Sequence, residues 1–157
     1  MTFDMREKGV VITGGASGIG LATACEAAAR GAKILLADIE GGALGSAAKQ
    51  VAAAGAGLVE TQVCDIANLE SMQQLAEAAD ERLGGTHIMF NNAGVAVGGP
   101  IAEMSHDDWR WIIDVDLWGA IHGVEAFLPR MLEQRQGGHI LFTASFAGLV
   151  PNVGLGP

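Results

Sequence analysis

Residues 9–20 read GVVITGGASGIG: an apolar run, Gly9 to Thr13, passes through Thr13-Gly14-Gly15-Ala16-Ser17-Gly18-Ile19-Gly20 straight into an Ala-rich segment. Glycines, lacking Cβ atoms, let a backbone turn tightly and approach a pyrophosphate, whose charge the N–H groups and dipole of a following helix stabilise. The position after a strand and before a helix makes this stretch a candidate phosphate cradle. Its spacing, GxxxGxG, differs from the GxGxxG dinucleotide fingerprint, and no Lys follows as a P-loop requires.

Outward from this loop, short apolar runs alternate with longer amphipathic or Ala-rich segments, with no repeat or low-complexity linker. The runs are GVVIT (9–13), KILLAD (33–38), GLVETQVC (57–64), HIMFNN (87–92) and HILFTA (139–144). Short runs apolar on both faces suit a parallel sheet covered by helices on each side. Helices are expected near 18–30, 42–54, 68–83 and 105–135. Asn68 is placed to cap the third, with Gly84 and Gly85 stopping it, and Ser105 with Asp107 and Asp108 makes a comparable start for the fourth. Pro129 is expected to kink or weaken that long helix late in its course. Strict alternation makes the expected fold an α/β Rossmann-type doubly wound parallel sheet with helices on both faces.

The second strand ends in Asp38, where this fold puts an acid able to accept both ribose hydroxyls of an adenosine. A strand-end Asp is an ordinary turn residue when met alone; its coincidence with the glycine loop favours the ribose reading. Asp38 would also repel a 2′-phosphate, and Ala16, Ser17 and Ile39 offer no basic group to bind one. NAD is therefore the expected cofactor over NADP.

Bulk composition narrows the partners. Of 157 residues, 50% are hydrophobic and 17% charged, which suits one globular domain with a large core. The net charge is −9, and the nine Lys and Arg are spread thinly, so neither nucleic acid nor an anionic membrane is expected to bind. Cys25 and Cys64 form no CxxC and no His/Cys ligand spacing, so no metal is expected and a reduced, cytoplasmic setting is. The N-terminal MTFDMREKG lacks a long apolar region, and the two longest stretches free of Asp, Glu, Lys and Arg, 9–25 and 136–157, are broken by Gly, the second also by His, Asn and Pro. Neither a leader nor a membrane span is expected.

Taken in order, these motifs resemble those of the short-chain dehydrogenases/reductases, in their single-domain branch, over about Lys8 to Pro157. TGGASGIG resembles the family's TGxxxGIG cofactor loop, Asp38 its NAD-selecting acid, and Cys64-Asp65-Ile66 the strand end whose Asp contacts adenine. Asn91-Asn92-Ala93-Gly94 is the NNAG signature, and GHILFTASFAG (138–148) resembles the strand carrying the catalytic Ser, here Ser145. The resemblance implies cofactor contacts at Gly14, Ala16, Ser17, Gly18, Ile19, Gly20, Asp38, Asp65, Ile66, Asn91, Asn92, Ala93 and Gly94. Residues 1–157 would then be a single NAD-binding Rossmann domain, incomplete at its C-terminus.

Two departures from the family pattern matter. Where the family has an Asn in the long helix, this chain has Asp116. A role through its backbone carbonyl, holding a water of the proton relay, is open to Asp; a role needing an amide donor is not. The catalytic Tyr of the YxxxK motif would fall just past Pro157, and the chain contains no Tyr.

The resemblance implies reversible hydride transfer between nicotinamide and a secondary alcohol or ketone. Tyr exchanges the proton, Lys lowers its pKa, and Ser orients the substrate oxygen. Bringing a phenol down by about 3 units from near 10 needs roughly 4 kcal/mol of preferential phenolate stabilisation. No His, at 87, 106, 122 or 139, is placed to replace that pair. Residues 1–157 alone are expected to be inactive, with HILFTA left as a sheet edge prone to association. The apolar loops Val95–Pro100 and Phe146–Leu155 favour a hydrophobic substrate, and a homo-oligomer is expected for the full-length protein. The alternative is a noncatalytic dinucleotide-binding or inert remnant of the same ancestry. An extended-branch epimerase or dehydratase would carry TGxxGxxG, which Thr13 to Gly20 does not match.

Overall fold

In the computed structural model, residues 4–150 and Gly154 are described; the expected loop Phe146–Leu155 lies partly outside them. Five strands form one sheet in the order β3-β2-β1-β4-β5, and every adjacent pair is parallel. The strands are β1 (Gly9–Thr13), β2 (Lys33–Asp38), β3 (Val59–Val63), β4 (Ile88–Asn91) and β5 (His139–Phe142). The first three run outward to one side of β1; the chain then crosses back to lay β4 on its other side. Register centres on β1, where Val10 pairs with Ile34 of β2 and Ile88 of β4.

Strand side chains alternate between faces, which divides the core in two. Val10, Ile12, Ile34 and Leu36 face α1 (Gly18–Ala29) and α2 (Gly41–Ala53), meeting Ala24, Ala28, Leu44 and Val51. Val11, Leu35 and Met89 face α3 (Leu69–Leu83) and α5 (Gly119–Glu133), meeting Met72, Leu75, Ala79 and Phe127. Each fully buried large apolar side chain contributes about 1.5–3 kcal/mol, so strands apolar on both faces hold both helix layers. The small Ala and Gly residues of α1 let it lie close on the sheet, where a Leu-rich face would hold it away.

Helix ends follow local chemistry. Asn68 accepts the Ser71 N–H at 3.1 Å to cap α3, and Gly84, at φ 79°, ends it in the left-handed region. Ser105 and Asp108 form a reciprocal capping box at α4 (His106–Ile112).

The long helix differs from expectation. It comprises α4, a π-helical segment at Ile113–Trp118, and α5, which runs through Pro129 to Glu133. Pro129 lies on the solvent side, as does Glu125, whose carbonyl loses its partner, so water can serve that oxygen. A further irregularity, the π segment, lies beside the strand ends. Among the described residues β5 is an edge strand, with Leu141 45% and Phe142 50% exposed. No described helix is long and apolar enough to cross a membrane.

Candidate active site

The carboxyl ends of all five strands open into one cleft of about 1080 Å³, at the point where strand order reverses between β1 and β4. Open α/β sheets bind ligands at such switch points.

At the end of β1, Gly14 and Gly18 adopt φ of 63° and 53°, which L side chains rarely tolerate. A Cβ on Gly14 would lie 2.8 Å from Ala93 Cα, and one on Gly20 would strike the Gly14 carbonyl. Gly18 differs, since nothing lies within 4 Å of where its Cβ would be. The first N–H groups of α1 have no carbonyl partner by helix geometry, and the Ser17 side chain makes no capping bond to them. Donors and dipole thus face open space, a cradle fit for a phosphate.

Asp38 closes that loop from β2. Its Oδ2 accepts the Ala16 N–H at 3.0 Å and its Oδ1 accepts the Glu40 N–H at 3.1 Å. The carboxylate stays half-exposed on the cleft wall. After β3, Asp65 is exposed, its Oδ1 accepting the Ala67 N–H at 3.0 Å, while Ile66 is buried against Gly119. The His122 Nδ1–H donates to the Ile66 carbonyl at 2.9 Å. Burial pushes the neighbouring Cys64 thiol up in pKa, outweighing the Ser71 hydroxyl bonded to it at 3.4 Å.

The end of β4 is bonded to both neighbours. Thr13 Oγ1 accepts the N–H groups of Asn92 at 3.0 Å and Ala93 at 3.2 Å. Asn92 Nδ2 donates to the carbonyls of Thr13 at 3.1 Å and Gly14 at 3.3 Å, and its Oδ1 accepts from the Thr143 hydroxyl at 2.8 Å. Asn91 is buried against Gly123 of α5, and neither polar atom of its side chain has a partner among the described residues. Asp116 Oδ1 accepts the Val95 N–H at 2.9 Å, and Ser145 Oγ accepts the Ala147 N–H at 3.1 Å.

Of the residues expected at the site, Gly14, Ser17, Gly18, Ile19, Asp38, Asp65, Ile66, Asn92, Ala93, Gly94, Asp116 and Ser145 line the cleft. Ala16, Gly20 and Asn91 are buried behind it. Among the lining residues, Glu40, Trp111 and Val115 lie outside the motifs, and Thr143 lies within HILFTA without an assigned role. In an α-helix Asp116 would sit about 140° around the axis from Trp111. The wide turn of the π segment closes part of that angle, which periodicity at 3.6 residues per turn does not reveal. Among the described residues no group of three or more His, Cys, Asp or Glu could hold a metal ion.

The family model for the short chain dehydrogenase matches residues 8–157. The chain belongs to the short-chain dehydrogenases. It is 38% identical to 1-deoxy-11-beta-hydroxypentalenate dehydrogenase of Streptomyces arenae, over 94% of this chain and 52% of that protein. It matches the crystal structure of a short-chain dehydrogenase/reductase from Burkholderia phymatum in complex with NAD, at TM-score 0.94 and 43% identity, over 99% of this chain and 55% of that one. NAD+-bound xylitol dehydrogenase matches at TM-score 0.92 and 29% identity, over 98% and 58%. The chain spans about half the length of the curated relatives it matches. This short-chain dehydrogenase shares the parallel-sheet, Rossmann-type fold of those structures.

Proposed function

We propose that this chain is the cofactor-binding part of an NAD-dependent oxidoreductase that interconverts a secondary alcohol and a ketone. The observation carrying this reading is the single cleft that gathers the glycine loop, two strand-end acids, the Asn-Asn-Ala-Gly turn and Ser145. The first-turn N–H groups of α1 would hold the pyrophosphate over Gly18, where the missing Cβ leaves room. Asp38 would accept the adenosine ribose hydroxyls; pinned by two backbone N–H groups, it cannot swing away from a 2′-phosphate, which favours NAD over NADP. Asp65 and Ile66 would border the adenine.

Bound NAD supplies the hydride acceptor. The chain's own residues would bind it and orient the substrate. Ser145, exposed at the cleft, would present its hydroxyl to the substrate oxygen. Asp116 would contribute to the proton relay through its backbone carbonyl while its side chain fixes the turn at Val95. Val95, Ala96, Trp111 and Val115 make the substrate end apolar, which favours a hydrophobic alcohol or ketone. Residues 1–157 contain no Tyr, so on this reading they do not turn over by themselves. A homo-oligomer and a cytoplasmic setting accompany the proposal.

Titration of the complete protein with NADH and NADPH, followed by nucleotide fluorescence, tests it. NADH is expected to bind at least tenfold tighter. Equal or reversed affinities would remove the assignment of Asp38, and no binding of either would leave the noncatalytic reading without its ligand as well.

A further inference from the structure

Thr143 lies in the HILFTA run without a role assigned to it from sequence, yet it joins two halves of the site. Its N–H donates to the Asn91 carbonyl at 2.9 Å, continuing the pairing of β5 with β4 beyond Phe142. Its hydroxyl donates to Asn92 Oδ1 at 2.8 Å. The opposite end of that amide donates to the carbonyls of Thr13 and Gly14. A flipped amide would point its oxygen at those two carbonyl oxygens, so Oδ1 must face Thr143, the side where a donor is needed. Beyond Gly14, the Gly15 N–H bonds the Ala37 carbonyl at 3.0 Å and the Ala16 N–H bonds Asp38. Ser145 stands two residues from Thr143, from which a chain of hydrogen bonds leads through Asn92 to the glycine loop.

We infer that Thr143 is a positioning residue that couples the order of the Ser145 segment to that of the glycine loop, acting through the Asn92 amide. The inference rests on the dinucleotide reading for its functional consequence, but the link itself is a property of the ligand-free protein. A β-branched residue suits the role, because its restricted χ1 holds the hydroxyl in place. Adjacent hydrogen bonds in such a chain reinforce one another, so losing the terminal donor loosens those beyond it.

The test compares the complete protein with Thr143→Val, which keeps shape and removes the hydroxyl, and Thr143→Ser, which restores it. Thr143 is exposed, so both variants should fold. Hydrogen exchange at the Gly15 and Ala16 amides, without ligand, is expected to be several-fold faster in Thr143→Val. Its NADH dissociation constant should rise about two- to fivefold, near the worth of one neutral hydrogen bond, and kcat should fall with it. Thr143→Ser should return all three to within about twofold. Unchanged exchange in Thr143→Val, a lowered Tm with unaltered exchange and affinity, or a Thr143→Ser that behaves as the Val variant would overturn the coupling. Failure of the parent protein to bind NADH would sink the dinucleotide reading instead, with exchange still deciding the link.

Discussion

Asp116 Oδ1 accepts the Val95 N–H at 2.9 Å, tying the π segment of the long helix to the turn that follows β4. The bond uses a side-chain oxygen, which Asp and Asn both possess. The departure from the family's Asn therefore costs nothing at this contact. Asp116→Asn should keep its melting temperature within about 2 °C and most of the complete protein's kcat. Asp116→Leu leaves the Val95 N–H without that acceptor and should lower stability by about 1 kcal/mol. Thermal melts and turnover of the two variants decide it; a large loss in Asp116→Asn would mean that the carboxylate charge itself is required.

Asp38 has a double role, as acceptor for the Ala16 N–H and as the proposed ribose ligand. Removing it should weaken NADH binding about 10–100-fold, the range for hydrogen bonds to a charged group. NADPH should lose less, because the charge opposing its 2′-phosphate disappears as well. Parallel titrations of Asp38→Ala with both nucleotides should shift the NADH to NADPH preference at least tenfold, and an unchanged ratio would count against the assignment.

Three glycines should answer an Ala substitution with different signs. At Gly123 the new methyl would enter the Asn91 amide in the buried contact between α5 and β4; overpacking of this kind costs about 1–3 kcal/mol. At Gly20 it would meet the backbone carbonyl of Gly14, which cannot rotate aside, so NADH binding should be lost along with stability. At Gly45, on the exposed side of α2 with nothing within 4 Å, Ala should instead stabilise by about 0.5–1 kcal/mol. Denaturant unfolding of the three variants checks the ordering.

The sequence was legible where one residue type has one local use. Gly14 and Gly18 need a left-handed backbone, Asn68 and Ser105 cap helices, and runs such as KILLAD are apolar on both faces because both are covered. The placement of Asp38 at the cleft was readable because strand ends in this fold meet at one edge. Thr143 and Trp111 were not. The use of Thr143 depends on an amide fifty-one residues earlier, and no local pattern encodes that pairing. Trp111 reaches the cleft beside Asp116 through a π segment, for which no residue in IDVDLW is a signal. Pro129 was a visible helix breaker, yet α5 runs through it to Glu133 with Pro129 on the solvent side.

The cap of α4 should give the protein an acid-sensitive element. Asp108 accepts the Ser105 hydroxyl at 2.6 Å and the Ser105 N–H at 2.8 Å, and these bonds hold its carboxyl below the usual carboxylate range. A folded-state pKa below the unfolded one favours the fold above the unfolded value, about 3.9 for Asp, and that contribution is lost as pH falls through the folded value. Asp108→Asn cannot ionise and keeps only one acceptor oxygen. Its deficit against the parent should be constant between pH 7 and about pH 5, then shrink steadily towards pH 2. Asp4 is also held down, to about 2, by its bonds with Arg6, but it titrates in both proteins and cancels in the comparison. Denaturation midpoints of the complete protein and of Asp108→Asn across this range measure the difference, and a gap that stays constant down to pH 2 would show that the carboxylate charge does not hold the cap.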